Sequence, residues 1–218
     1  MQLYRALSDR NKHTLRRASN GRSWVMKYQG EGGTDAGGLY RDSLREMCAE
    51  LQSHPCSLRL LLPCPNQRFR TGDNQDKWVP NPACKSQEHM GMYKFIGALM
   101  GACARSNSPL ELDLPSLVWK SLVGEACGLS DVVAIDQQFA KDIGAMQDTD
   151  TADAWALKPR MWTVRSVSGK AVPLRPSGSK MRVDFGDRDE YMAACVSWRI
   201  TECSAQVGAR GLAYVLSV

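Results

Sequence analysis

Residues 24–44 constrain the chain most, because they compress a strand pattern, a glycine turn and a helix start into one short run. Trp24, Val25 and Tyr28 suit a pleated, half-buried strand, and Gly30, Gly32 and Gly33 allow the positive φ of a tight turn. Asp35 is placed to cap a helix, while Gly37 and Gly38 leave room for a close neighbour. Leu44, Met47, Cys48 and Leu51 follow at i, i+3, i+4 and i+7, the spacing of a buried helical stripe, and His54-Pro55 stops it. A glycine cluster after a strand also raises the question of a phosphate cradle. Neither G-x-G-x-x-G nor G-x-x-x-x-G-K-[ST] fits residues 30–38, and Glu31 and Asp35 would repel a phosphate.

Helical periodicity dominates the rest of the chain. Residues 58–62 are an apolar run that reads equally as a strand or a helical turn, and residues 63–89 read as a long loop pinned to the core by Phe69 and Trp78. A helix is expected over 90–105, with Gly97, Gly101 and Ala104 as a small-residue stripe for close helix contact. Pro115 opens another that turns Leu117, Val118 and Leu122 inward and ends near Gly124. Ser130 caps the next, whose stripe runs Val132, Ile135, Phe139, Ile143, Met146 up to an exit loop at 148–153. Short strands are expected at 161–165, 171–174 and 181–185. A last helix presents Tyr191, Ala194, Cys195 and Trp198 on one face. The fold class is therefore α+β and mainly helical, with the strands gathered in the second half.

At 218 residues and 43% hydrophobic, the chain can bury one lobe or two small subdomains. It contains no apolar run long enough for a membrane span, and its first residues lack the apolar core of a secretory signal, so an intracellular location, cytoplasmic or nuclear, is expected. The eight cysteines do not read as a disulfide framework: Cys48, Cys103, Cys195 and Cys203 sit in helical patterns beside apolar residues, as small hydrophobes do. Cys56, Cys64, Cys84 and His89 contain no C-x-x-C pair and match no standard zinc spacing, so no metal and no cofactor is expected. Net charge is +5, but residues 1–27 hold Arg5, Arg10, Lys12, Arg16, Arg17, Arg22 and Lys27 against Asp9 alone, which leaves the rest at −1. This basic arm reads as a solvated lead-in, with nucleic-acid binding the weaker alternative because no aromatic platform interleaves the charges.

Several ordered motifs resemble one family. Gly30-Glu31, Asp35-Ala36-Gly37-Gly38 and Arg41-Asp42 are similar to the opening of the HECT domain of ubiquitin ligases. Pro63-Cys64-Pro65-Asn66, the run 78–82, Tyr93 to Gly97 with Leu99 to Gly101, Leu112 to Pro115, Trp119-Lys120, Asp131, Asp136 and Asp189-Glu190-Tyr191 continue the resemblance in order, from Trp24 to the last residue. The likeness is closest to the large HERC-type members. It implies the N-terminal lobe of that domain, in which a large helical subdomain carries a smaller one that recruits a ubiquitin-conjugating enzyme. Residues 1–23 would be the basic lead-in, 24–128 the large subdomain with 199–218 returning to it, and 129–198 the recruiting subdomain. The family passes ubiquitin through a cysteine thioester in a second lobe, within a Thr-Cys-Phe-like motif that this sequence does not contain. The resemblance thus implies a partial domain that does not transfer ubiquitin by itself, with apolar surface uncovered at Leu212, Tyr214, Val215 and Leu216 and poor solubility as a consequence.

Carried over residue by residue, the family's shallow recruiting groove would be lined by Phe139, Ile143 and Met146, then Met161 and Trp162, then Tyr191. Phe139, Ile143 and Met146 also lie on a helical stripe that suits a core, whereas Trp162 and Tyr191 pair a large ring with a polar tip suited to a half-exposed anchor. Gly144 and Ala145 stand where many members carry leucine, which implies a shallower groove. Glu31, Asp35, Gly37, Gly38, Arg41 and Asp42 are expected to work structurally, as a cap and an Arg41-carboxylate pair at the strand-to-helix corner. The implied partner is a ubiquitin-conjugating enzyme, with ubiquitin itself as an open second and no membrane. The alternatives are a non-catalytic binding module of the same pathway, a basic-arm nucleic-acid binder, and an inert fragment.

Overall fold

The computed structural model describes residues 2–7, 24–27, 37–53, 58–208 and 211–213. In chain order the elements are α1 (Gln2–Leu7), α2 (Gly38–Leu51), β1 (Leu61–Pro63), α3 (Pro65–Phe69), β2 (Trp78–Pro80), α4 (Gln87–Arg105), α5 (Ser116–Val123), α6 (Leu129–Val133), α7 (Gln137–Gln147), α8 (Ala152–Ala156), β3 (Thr163–Arg165), β4 (Ala171–Pro173), α9 (Arg188–Thr201) and α10 (Ser204–Val207). The class is α+β and mainly helical, with two small two-stranded sheets, β1 with β2 and β3 with β4. Two compact units result. One comprises residues 1–61, 84–113 and 205–218, and the other 62–83 and 114–204, so that 62–83 and 114–128 group with 129–198.

In the first unit, α2 buries Tyr40, Leu44, Cys48 and Leu51 along the expected stripe. Its start differs from expectation. The residue before the helix is Gly37, at φ 108°, where a side chain would be strained, while a Cβ at Gly37 or Gly38 would meet nothing within 4 Å. The glycine is needed for backbone conformation, not for a close neighbour. Gln52 ends α2 by donating its N–H to the Cys48 carbonyl; the Asp35 cap, the turn at 30–33 and His54-Pro55 lie outside the described residues. Residues 24–27 form no strand, and Trp24 instead packs edge-on against Tyr40, ring centroids 4.6 Å apart, beside Leu44 and Cys103. Helix α4 begins three residues before the expected start because the Ser86 hydroxyl accepts the His89 N–H. A side chain at Gly97 would run into the Leu212 backbone, so the small residue admits the 211–213 turn; Gly101 is also buried, and Ala104 is exposed. Leu212 is itself buried, contrary to the uncovered surface expected there, while Tyr214, Val215 and Leu216 lie outside the described residues.

The second unit departs from the sequence reading where polar residues act. The expected loop 63–89 contains α3, with Pro65 at its first position, and β2. Trp78 is buried as expected, but Phe69 is 67% exposed. The single helix expected from Ser130 to Met146 is two helices, because Asp136 caps α7 by accepting the Phe139 N–H at 3.1 Å. Asn66, fully buried, joins α3 to that break: its amide nitrogen donates to the carbonyls of Asp73, Val133 and Ala134, and its oxygen accepts the Gln137 N–H at 2.8 Å. Both amide hydrogens, shared among three carbonyls, and one lone pair of the oxygen are thus engaged, which explains an asparagine in the core. Cys64, Val79, Leu117, Val132, Ile135 and Val167 form one apolar cluster around this junction. A second holds Ile143, Met146, Trp155, Trp162, Val164, Val183, Tyr191, Met192 and Cys195. Strands β3 and β4 are antiparallel with Val164 opposite Val172, and residues 181–185 contribute only a bridge from Arg182 to Met161 in place of the expected strand.

Candidate partner-binding surface

Residues 160–162 are held from both sides. The Trp162 N–H donates to the Met181 carbonyl at 3.0 Å, the Leu174 N–H donates to the Trp162 carbonyl at 2.9 Å, and the Val183 N–H reaches the Arg160 carbonyl at 2.9 Å. Alternation then places neighbours on opposite faces. Met161, opposite Arg182, is 45% exposed, while Trp162 is 1% exposed. The Trp162 ring meets Tyr191 edge-on at 5.6 Å, and the Tyr191 hydroxyl donates to the Thr163 carbonyl at 2.9 Å. Burial pushes the Tyr191 phenol far above its ordinary range, so it stays a neutral donor.

The six residues expected to line a groove therefore separate into a core and an edge. Ile143, Met146, Trp162 and Tyr191 lie buried in one cluster, and Phe139 packs against it under the Arg199 guanidinium, 4.7 Å from its ring centroid. Trp162 and Tyr191 are not half-exposed anchors: their polar tips point to a position at a surface only when the ring is solvated, and here both rings are interior. Met161 alone of the six is exposed. Sequence reasoning also missed the exposed Met181, at 39%, and Leu157, at 82%, the latter just beyond α8. The Arg182 guanidinium reaches the Ala156 carbonyl at 3.4 Å, which draws the end of α8 toward Met161. Leu157 ends a short helix and Met181, read from the sequence as the start of a strand, follows a single helical turn, and neither position's exposure is reported by a periodic pattern.

Between α7 and α9 runs an open apolar groove of about 620 Å³, lined by Ile143, Gln147, Met192, Val196, Ile200 and Cys127 among others. A side chain at Gly144, next to Ile143, would meet nothing within 4 Å.

The packing of α7 and α9 rests on a buried ion cluster that the sequence did not reveal. Arg199 of α9 contacts Asp136 at 3.2 Å and Glu202 at 2.7 Å and donates to the Arg165 carbonyl at 2.8 Å. Glu202 in turn accepts from the Ser166 hydroxyl at 3.0 Å and the Val167 N–H at 3.2 Å. Burial pushes both carboxyls above their ordinary range, and the Arg199 charge opposes that shift. Asp131, the other acid of the motif, takes the Gly128 N–H at 3.0 Å and Lys120 at 2.8 Å; burial alone would raise its pKa, and these partners bring it below the usual carboxylate range. Both acids hold helix starts.

The first-unit motif residues divide similarly. Arg41 is exposed, and Asp42 pairs with Arg45 at 3.5 Å one turn on, not with Arg41; Glu31 and Asp35 lie outside the described residues. Among the described cysteines, burial raises the thiols of Cys48 to about 12 and of Cys103 and Cys195 to about 11, and raises Cys64, Cys84 and Cys203 as well. These are conditions that suppress a thiolate. Cys203 lies in the turn after α9 and not in a helix. No described helix is long and apolar enough to cross a membrane.

Comparison with known proteins agrees with the arrangement. The mouse and human E3 ubiquitin-protein ligase HERC2 are 34% and 33% identical to the chain over 200 residues, which is 90% of this chain and 4% of each relative. The E3 ubiquitin-protein ligase RSP5 of Chaetomium thermophilum is 23% identical over 181 residues, 81% of this chain and 21% of that protein. The chain thus spans a small part of the relatives it matches. The HECT-domain (ubiquitin-transferase) model matches residues 48–217, a range that takes in α7, α9, the 160–162 bridge and the buried ion cluster, and on that match the chain belongs to the HECT-domain family.

Proposed function

We propose that residues 129–198 recruit a ubiquitin-conjugating enzyme, and that the protein to which this chain belongs is a ubiquitin ligase, as the names of its relatives suggest, transferring ubiquitin through a cysteine thioester as the resemblance to the HECT domain implies. The carrying observation is the exposure of Met161, Met181 and Leu157 in the subdomain whose core holds buried Trp162, Tyr191, Ile143 and Met146. Three exposed apolar side chains on a packed subdomain suit a partner that inserts apolar side chains of its own. Phe139 and the buried four then act as the floor that sets the position of Met161. The motif acids cap helix starts and do no chemistry.

The chain by itself is the recruiting part and not the transferring one. Burial raises the thiols of Cys48, Cys64, Cys84, Cys103, Cys195 and Cys203, away from the thiolate that a transthiolation needs. The test is a titration of the 218-residue chain with a panel of conjugating enzymes, comparing Leu157→Asp and Met161→Asp with the unaltered chain. Loss of binding by about tenfold or more, each tenfold being about 1.4 kcal/mol, with an unchanged circular dichroism spectrum supports the reading. A folded chain that binds no member of the panel ends it. A parallel reaction with activating enzyme, conjugating enzyme and ubiquitin should show no reducible ubiquitin adduct on this chain.

A further inference from the structure

From residue 154 to residue 183 the chain carries Lys158, Arg160, Arg165, Lys170, Arg175, Lys180 and Arg182 and not one Asp or Glu. Asp153 and Asp184, both exposed, bound the stretch. None of the seven cations forms an ion pair with a described residue. Two of them are held in place by aromatic rings: Arg175 lies 3.4 Å from the centroid of Trp162, and Arg160 lies 4.2 Å from that of Trp155. A guanidinium fixed on a ring has already lost much of its rotamer freedom, so it can meet an anion at little further cost. Next to it are two buried donors, Arg175 Nε and Trp162 Nε1, that find no acceptor among the described residues. Buried donors of this kind are normally satisfied.

Some of these cations adjoin exposed apolar residues, by pairing or in sequence: Arg182 is paired with Met161 and its guanidinium reaches the Ala156 carbonyl, just before Leu157. Lys180 precedes Met181, Lys158 follows Leu157, and Arg175 follows Leu174, whose N–H holds the Trp162 carbonyl. We infer that this surface docks an acidic segment of a protein partner, one whose carboxylates flank an apolar side chain: the apolar group meets Leu157, Met161 and Met181, and the carboxylates meet Arg175, Arg182 and Lys180. The inference rests on the recruiting reading of the same subdomain and adds the charge of the partner. Charge complementarity selects an acidic occupant. The chemistry selects protein over nucleic acid, because Trp155 and Trp162 are buried with cations over their faces and offer no platform for a base, while methionine and leucine have no use against a phosphate backbone.

The test uses the 218-residue chain and four labelled probes: a short peptide alternating Glu with Phe and Leu, its Gln counterpart, a DNA duplex, and phosphatidylserine vesicles. The acidic peptide should bind at least about tenfold more tightly than the Gln peptide at low salt, with the difference shrinking as salt is raised. Arg175→Glu should abolish that preference. Because Arg175 touches a buried ring, the exposed pair Lys180→Glu with Arg182→Glu is made as well and should reduce binding without altering the circular dichroism spectrum. Equal binding of the two peptides, or tighter binding of duplex or vesicles than of the acidic peptide, overturns the inference. The same variants titrated with conjugating enzymes separate it from the recruiting reading. Enzyme binding indifferent to charge reversal removes the acidic occupant and keeps recruitment, whereas peptide binding with no enzyme binding does the reverse.

Discussion

Two arginines in the second unit occupy opposite electrostatic situations. Arg199, 4% exposed, has carboxylates on both sides and a backbone carbonyl besides, and both carboxylates are held by further bonds, although its own Nε finds no acceptor among the described residues. Arg175 is half-buried on the face of Trp162 and has no acid within ion-pair distance among the described residues. A buried cation without a counter-charge is costly, so the first arrangement holds only if it is complete. A cation against a ring at the surface remains solvated on one side, so it can stay without a counter-charge until a partner supplies one. The first therefore serves the fold and the second is available for binding.

The largest test of this contrast is Arg199→Ala. It leaves Asp136 and Glu202 buried without their cation and should destabilise the chain by about 3–5 kcal/mol, read from urea denaturation, with little change of slope. Replacing Arg199 by Met together with Asp136→Leu and Glu202→Leu should recover only part of that loss, since it removes the buried charges but leaves the Phe139 and Val167 N–H groups without their acceptors. If Arg199→Ala costs no more than a surface substitution, the cluster does not hold α7 to α9. Next in size, Arg175→Ala should cost only about 0.5–2 kcal/mol in the same assay, while lowering partner affinity more than Arg199→Met in the triple variant does.

Asp131 sharpens the comparison through pH. Its folded pKa lies below the ordinary 3.8, so its helix-start bonds contribute fully above 3.8 and are lost as pH falls through the depressed folded value. An acid titration followed by circular dichroism should show Asp131→Asn less stable than the unaltered chain by roughly 0.5–1.5 kcal/mol at neutral pH, with the gap closing below that value. The smallest expected effect on stability belongs to Leu157→Asp, within about 0.5 kcal/mol, because that side chain touches solvent; the same substitution should act on binding. A large loss of stability there would place Leu157 in the fold and not in the interface.

Legibility followed the range of the interactions. The stripes of α2, α4, α5, α7 and α9 were readable because each needs only its own helical period and one apolar side. The α6–α7 break was not, since Ser130 to Met146 keeps one continuous stripe and the interruption comes from Asn66, about seventy residues upstream, filling the bonds that the broken backbone left open. The motif Pro63-Cys64-Pro65-Asn66 was visible as a resemblance, but the work of its asparagine was not. The candidate site showed the same limit: sequence reasoning expected Trp162 and Tyr191 as half-exposed anchors, whereas strand alternation put Trp162 on the inner face and left Met161 outside.

What the sequence alone determined is the class of the fold, the family and the placement of most helices, because hydrophobic period, turn residues and ordered motifs are local properties of the chain. The tertiary structure alone decided which polar groups are buried and which apolar ones are bare. Arg199 enters the core because Asp136 and the Arg165 carbonyl, both distant in sequence, meet it there beside Glu202 at the end of its own helix, and Leu157, Met161 and Met181 stay exposed because nothing described packs over them. Burial of a charge depends on partners distant in sequence, and no residue's own identity reports whether those partners arrive.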